Sequence, residues 1–211
     1  MAELFAMKTP SGQLDPAKLK YPVLVQPKLD GLRGICIKDG AHIGASGPVG
    51  CRWFSFTGKP LWNLEHVSAS LPDGDTAVYD GEIIWPGHPF SDAYGLCKRQ
   101  TSNAETRKQA KELEFHCFDR LELNEWSGKH TFRTFADRVN KLREVSPASK
   151  IGPNLVLMDV LRVVDQEGLE AAYREFLDAG HEGLMAKAIN GLYHWTRHPD
   201  WHRYKPTITV D

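Results

Sequence analysis

The chain has 211 residues, of which 41% are hydrophobic and 25% charged; this is a globular composition with enough apolar mass to bury the core of one large domain or two small ones. A formal net charge of -1 excludes a global basic field, and with it non-specific coating of nucleic acid, but leaves room for a local basic groove. No stretch approaches the ~18 apolar residues of a membrane span, and Met1 to Pro10 lack the apolar heart of a signal sequence, so a cytoplasmic protein is expected.

Taken in chain order, residues 1–20 are polar, with Pro10, Gly12 and Pro16, and read as a loose lead-in. Tyr21 to Val25 and Gly34 to Ile37 are apolar runs that read as strands. Ser46 to Lys59 is rich in glycine and aromatic residues and reads as loop with a short strand. Leu61, Leu64, Val67 and Leu71 repeat at helical spacing. A turn at Pro72-Asp73-Gly74-Asp75 leads into a strand over Ala77 to Trp85. Helices are expected at Pro89–Cys97 and Asn103–Glu112, then a strand at Phe115–Leu121. Thr131 to Val145 has Phe132, Phe135, Val139 and Leu142 on one helical face. A strand at Leu155–Leu161 precedes a helix with Asp165 as N-cap and Gly180 as its stop. Short strands at Gly183–Lys187 and His202–Tyr204 follow. Strands and helices without regular alternation imply an α+β fold, mostly antiparallel.

The chemistry concentrates first in Lys28-Leu29-Asp30-Gly31-Leu32-Arg33, a strand–turn–strand junction. Asp30-Gly31 is the turn signal, because glycine accepts a positive φ. A lysine before such a turn is held on rigid backbone and points one way, as a nucleophile must; a surface lysine beside an ordinary hairpin has the same local sequence. Asp80-Gly81-Glu82 lies inside a strand, where the glycine permits close backbone approach and Glu82 either faces a cleft or is solvated at a turn. Phe118 is a stacking platform or core. Strand alternation sets Lys187 on one side of its strand and Arg203 and Lys205 together on one side of another. Carboxylates and cations delivered to one cleft suit a triphosphate with Mg²⁺.

Together these segments, with Glu182-Gly183-Leu184-Met185-x-Lys187 and Arg203-x-Lys205-Pro206, resemble the nucleotidyltransferase domain of ATP-dependent DNA ligases, above all the short phage and bacterial type. The resemblance runs in order from Gln26 to Pro206. It implies two mostly antiparallel sheets with flanking helices and a nucleotide cleft between them. It also implies a monomer that uses ATP and Mg²⁺ to seal nicked duplex DNA. Lys28 would attack the α-phosphate and become lysyl-AMP. Gln26 falls where the family reads the adenine amine, often with Glu. Asp30 and Gly31 belong to the nucleotide-binding set, Arg33 and Glu82 would hold the ribose, and Phe118 would stack on adenine. Glu182, with Glu82, would serve the metal; Lys187 and Lys205 would contact the α-phosphate, with Arg203 beside them. A lysine attacks only when neutral, and cationic neighbours favour that form while stabilising the transition state.

Arg203 stands where the family usually has lysine, and Arg is not a point charge. A Ser-Arg-x-Gly motif is not recognisable; Ser46-Gly47-Pro48 lies near its place, with Arg52 the nearest cation. On this reading residues 1–20 are lead-in and 21–206 the adenylyltransferase domain. Residues 207–211 then begin a linker to an oligonucleotide-binding barrel. The short segment before Lys28 favours ATP over NAD. The other readings are an RNA ligase or capping-type nucleotidyltransferase, or a non-catalytic domain that binds nucleotide or DNA.

Other features read as structural. Cys36, Cys51, Cys97 and Cys117 show no Cys-x-x-Cys spacing, so free thiols rather than a zinc ribbon are expected. His194, His198 and His202 repeat at four-residue intervals, but Pro199 interrupts any helix that would align them as metal ligands. Arg107, Lys108 and Lys111, mixed with Glu105 and Glu112, read as a solvated helix face. Trp53 and Trp62 read as core.

Overall fold

In the computed structural model, residues 5–12, 14–40, 50–100 and 103–206 are described, and they divide into two compact units. The first comprises residues up to Asp30, Phe132–Ala136 and everything from Asp159 onward; the second comprises Gly31–Thr131 and Asp137–Met158. Each has its own sheet, four-stranded and six-stranded respectively, so the expected α+β class with two sheets and flanking helices is borne out. Among the described residues no helix is long and apolar enough to cross a membrane.

In the first unit, β1 (Val23–Lys28) is central; it pairs antiparallel with β8 (Leu161–Val163) on one side and β9 (Gly183–Ala188) on the other, and β10 (Trp201–Tyr204) forms the edge against β9. Alternation splits the residues of β1 between two faces. Val23 and Val25 pack with Val163, Leu184 and Ala186 against Leu169, Ala172 and Phe176 of helix α6 (Gln166–Asp178). Asp165 caps that helix, its Oδ1 accepting from Gly168 N–H at 2.8 Å. Each such large apolar side chain contributes about 1.5–3 kcal/mol by leaving water, which makes this the face that holds the unit together. Gln26 and Lys28 are left on the opposite face. The lead-in is not loose: Ala6 and Met7 are fully buried, Met7 N–H donates to the Tyr193 hydroxyl at 3.2 Å, and Lys8 bridges to Arg197. The polarity that suggested a loop comes from residues on either side of this anchored pair.

The second unit's strands are β2 (Leu32–Lys38), β3 (Cys51–Ser55), β4 (Pro60–Leu61), β5 (Ala77–Ile84), β6 (Glu114–Glu122) and β7 (Leu155–Leu157). They lie in the order β4-β3-β2-β5-β6-β7, antiparallel except for β6–β7. Leu32, Cys36, Trp53, Tyr79, Ile83, Phe115 and Cys117 face one core with the short helices α1 (Glu65–Ser68), α2 (Phe90–Cys97) and α3 (Ala104–Ala110). Trp53 is core as expected, its ring edge-on to Phe115 at 4.8 Å, and all four cysteines are free thiols.

Several expectations on element boundaries are corrected. The Asp30-Gly31 turn does not close a hairpin, because β1 and β2 belong to different sheets. Nor is Gly31 in the positive-φ region; it is glycine because a Cβ there would meet Ile84 Cδ1 at 2.3 Å. The helix expected from Leu61 shortens to four residues, since Leu61 pairs with Trp53 in β4 and Asn63 takes a left-handed φ of 63°. Phe132 is 83% exposed and precedes helix α5 (Phe135–Val145), whose opening N–H groups on Phe135 and Ala136 donate to the carbonyls of Gly191 and Ile189. Helix α4 (Leu123–Gly128) was not expected; Glu125 reaches back to the Glu122 N–H at 3.0 Å in capping-box geometry, but with Glu rather than Ser, Thr, Asp or Asn at the N-cap the sequence carries no such signal. Leu155–Leu161 is not one strand, because β7 and β8 serve different sheets across the unit boundary at Met158/Asp159.

Candidate active site

The face of the first unit's sheet opposite α6 collects most of the expected residues. Leu24 lies opposite Lys187, Gln26 opposite Met185 and Lys28 opposite Gly183, while Trp201 and Arg203 of β10 lie opposite Lys187 and Met185. Lys28 Nζ forms an ion pair with Glu182, whose other oxygen accepts from Lys205 Nζ at 3.5 Å. Glu182 is aimed by its backbone: its N–H donates to the Lys28 carbonyl at 3.0 Å. The next residue must be glycine, since Gly183 has φ +145° and a Cβ would stand 2.2 Å from the Tyr204 carbonyl oxygen. Burial alone would raise the Glu182 carboxyl, but the Lys28 hydrogen bond and the charges of Lys28 and Lys205 outweigh it and hold the group below its ordinary value.

Lys187 is on the expected face but is 2% exposed. Its Nζ donates to Gln26 Oε1 at 2.7 Å and lies 4.5 and 4.3 Å from the ring centroids of Phe135 and Trp201. A buried ammonium needs such company, and aromatic faces supply it. Phe135 and Trp201 are thus neighbours of the candidate site that sequence reasoning missed. Trp201 had a usable signal, lying two strand positions before Arg203; Phe135 had none, since it looks like any residue on an apolar helical face. The Gln26 amide has its acceptor committed to Lys187, while its Nε2 is buried without a hydrogen-bond partner among the described residues; the end left for a ligand is a donor. Arg203 Nε is likewise buried and without such a partner.

The second unit carries Arg33, Glu82 and Phe118 away from its core cluster. Arg33 clamps Asp80 through Nε to Oδ1 at 2.8 Å and Nη2 to Oδ2 at 2.6 Å, and its Cζ lies 5.3 Å from the Phe118 ring centroid. Asp80, fully buried, therefore orients Arg33, a role its place beside Gly81 did not reveal. Glu82 lies opposite Arg33 on one side and His116 on the other, and its Oε2 is buried. Gly81 marks a bulge between β5 and β6, where a Cβ would meet the His116 carbonyl oxygen at 2.5 Å, so close approach is indeed why glycine is there. Next to Phe118, Asp119 accepts from Arg138 Nε and Nη2 at 2.8 and 2.9 Å, both residues fully buried; nothing in the pattern of α5 set Arg138 apart. Phe118 is 8% exposed, so burial alone fits core while the Arg33 contact fixes its ring. Arg52 pairs with Asp39 at 2.5 Å, and Ser46-Gly47-Pro48 lies outside the described residues.

Neither Glu82 nor Glu182 belongs to a cluster of three metal-ligating side chains among the described residues. One available carboxylate still fits Mg²⁺, which keeps several waters and is held by one or two carboxylates together with substrate phosphates.

The family model described as ATP dependent DNA ligase domain matches residues 7–205. A DNA ligase of Thermococcus onnurineus is 31% identical over 163 residues, covering 69% of this chain and 28% of that protein. The DNA ligase of Enterobacteria phage T6 is 25% identical over 92% of this chain and 46% of its own length. The chain thus spans less than half the length of these relatives. In fold it is similar to the ATP-dependent DNA ligase from bacteriophage T7 in complex with ATP, with a TM-score of 0.70 and 20% identity over 95% of this chain and 68% of that one. A match running from the anchored lead-in through Lys205 takes in every segment that carries the site, and the chain belongs to the ATP-dependent DNA ligase domain family.

Proposed function

We propose that this chain is the adenylyltransferase part of a DNA ligase. The observation that carries the reading is the cluster on the face of the four-stranded sheet opposite α6. Lys28 is fixed on β1, paired with Glu182, with Lys187 on the adjacent β9, Arg203 on β10 beyond it and Lys205 just past the end of β10. In the reaction, Lys28 Nζ attacks the α-phosphate of ATP, a P–N bond forms and pyrophosphate leaves. The AMP passes to the 5′-phosphate of a nick, releasing Lys28, and the 3′-hydroxyl then displaces AMP to close the phosphodiester. Neutral lysine is the nucleophile, so the Lys28–Glu182 ion pair must part or pass its proton before attack. Lys205 and Arg203 offset the phosphate charge, and Lys187, held by Gln26 and two rings, supplies a cation in a fixed position. Arg33, oriented by Asp80, and Glu82 address the ribose, and Phe118 the adenine. Mg²⁺, when bound, would neutralise phosphate charge, with Glu182 the carboxylate that fits it best. We assign nicked duplex DNA as the substrate, a monomer as the working form and the cytoplasm as its place.

The test is incubation with ATP and Mg²⁺ followed by intact-mass measurement and peptide mapping. One AMP on Lys28 is expected, removed by a chase with nicked DNA, and Lys28→Ala should stay unmodified. An adduct on another lysine, or none with a folded chain, would overturn the assignment.

A further inference from the structure

The segment between β9 and β10 holds a second cluster that the nucleotide chemistry does not use. His194 Nε2 lies 3.2 Å from Asp200 Oδ2 and His198 Nδ1 lies 3.4 Å from the same oxygen, and one donor atom from each of the three residues falls within 4.8 Å of the others. The three side chains are 30%, 28% and 26% exposed, open enough for an ion to enter. His202, which the four-residue repeat had placed third, lies on β10; Asp200 takes its position, because Pro199 ends the repeat and β10 begins just after.

We propose that His194, His198 and Asp200 form a site for a divalent transition metal, Zn²⁺, that staples the turn between β9 and β10. Two imidazoles and one carboxylate are a ligand set typical of zinc, with a fourth position left for water. Without an ion the trio is held by hydrogen bonds, His194 Nε2 to Asp200 Oδ2 at 3.2 Å and Asp200 N–H donating to His198 Nδ1 at 3.2 Å, so His198 must release that N–H to present its lone pair to zinc. Neutral imidazole is the form that binds metal. The rings of His194 and His198 are stacked, centroids 3.5 Å apart at 19°. An in-plane lone pair must point at the ion, so binding turns the rings out of this stack. The site is tied to the sheet through Asp200, whose carbonyl accepts from Ala188 N–H at 2.8 Å, next to Lys187 on one strand and Trp201 on the other. A metal here therefore fixes the hairpin that carries Lys187, Arg203 and Lys205, without being part of the reaction.

The test uses the reduced full chain, stripped with chelator and titrated with Zn²⁺ by calorimetry and equilibrium dialysis. One ion per chain is expected, with loss of the stacked-ring signature in histidine NMR signals. The unfolding midpoint should rise by about 3–6 °C at tenfold excess of free zinc over Kd. H198Q and D200N should each weaken binding at least tenfold, while C51S, which removes the one half-exposed thiol, should not. H198Q is retained as the reading should D200N fail to fold. No stoichiometric binding, or binding unchanged in H198Q and lost in C51S, would overturn the site and leave the trio a hydrogen-bonded lock.

Discussion

Glu182 ties two lysines to one carboxylate, and its titration gives a direct readout of that arrangement. The folded carboxyl lies below its ordinary value of 4.5, so the ionised form is favoured by folding. Its contribution to stability is complete above the unfolded value and is lost as pH falls through the lower folded one. With about a third of the side chain exposed, the contribution is that of a screened pair, about 0.2–1 kcal/mol. We expect Glu182→Gln to be less stable than the parent at pH 6 by that amount, with the gap closing as pH falls below the ordinary 4.5 and through the lower folded value; denaturant midpoints across an acid pH series check it. A gap independent of pH would mean that Glu182 is not the acidic partner of Lys28 and Lys205. At this scale the sequence was most informative about residue type and least about partners. Lys28, Glu182 and Lys205 were named from their segments, yet the buried Lys187–Gln26 bond and the Arg33–Asp80 clamp depend on which strands become neighbours.

Among the elements, β5 carries the sharpest steric demand. Gly81 has a carbonyl oxygen and the Phe115 ring within 2.6 Å of where a Cβ would stand, at the bulge that sets Glu82 opposite Arg33. Gly95, inside α2, has nothing within 4 Å. Alanine should therefore act in opposite directions at the two sites. Gly81→Ala should destabilise by about 1–3 kcal/mol through forced backbone movement, and Gly95→Ala should stabilise by about 0.5–1 kcal/mol through helix propensity. Urea midpoints measure both. Equal effects would show that the bulge yields to a methyl group, and with it the account of why Glu82 is displayed. The strands and α6 were legible because period-2 and period-3.6 patterns are written locally, and Asp165 was found by its own cap chemistry. The split of β7 from β8 was not legible, because an apolar run carries no mark of which sheet it joins.

For the whole molecule, 26 Lys and Arg against 27 Asp and Glu leave little net attraction for a polyanion, and several of the cations are committed to carboxylates. If the chain handles DNA as proposed, its affinity rests on few phosphate contacts. We expect weak binding of nicked duplex that is lost between about 50 and 200 mM salt, with a shallow salt slope, and poor sealing even where lysyl-AMP forms. A salt series of binding and sealing assays checks this. Tight, salt-resistant sealing would reveal a DNA-gripping surface on the chain that its charge balance conceals.

The sequence by itself determined the α+β class, the strands bearing the reactive residues, the nucleophile candidate and the family. Each of these rests on local spacing or on motif order along the chain, and both survive without knowledge of neighbours. Tertiary structure alone decided that Lys28 is paired to Glu182, that Lys187 is buried between Phe135 and Trp201, and that Asp200 rather than His202 completes a histidine cluster. Those are relations between residues up to 154 positions apart, set by sheet order and register. No short window holds both Lys28 and Glu182 or both Phe135 and Lys187; the histidine cluster does lie within one window, 194–200, but which side chains converge there is set by the turn into β10.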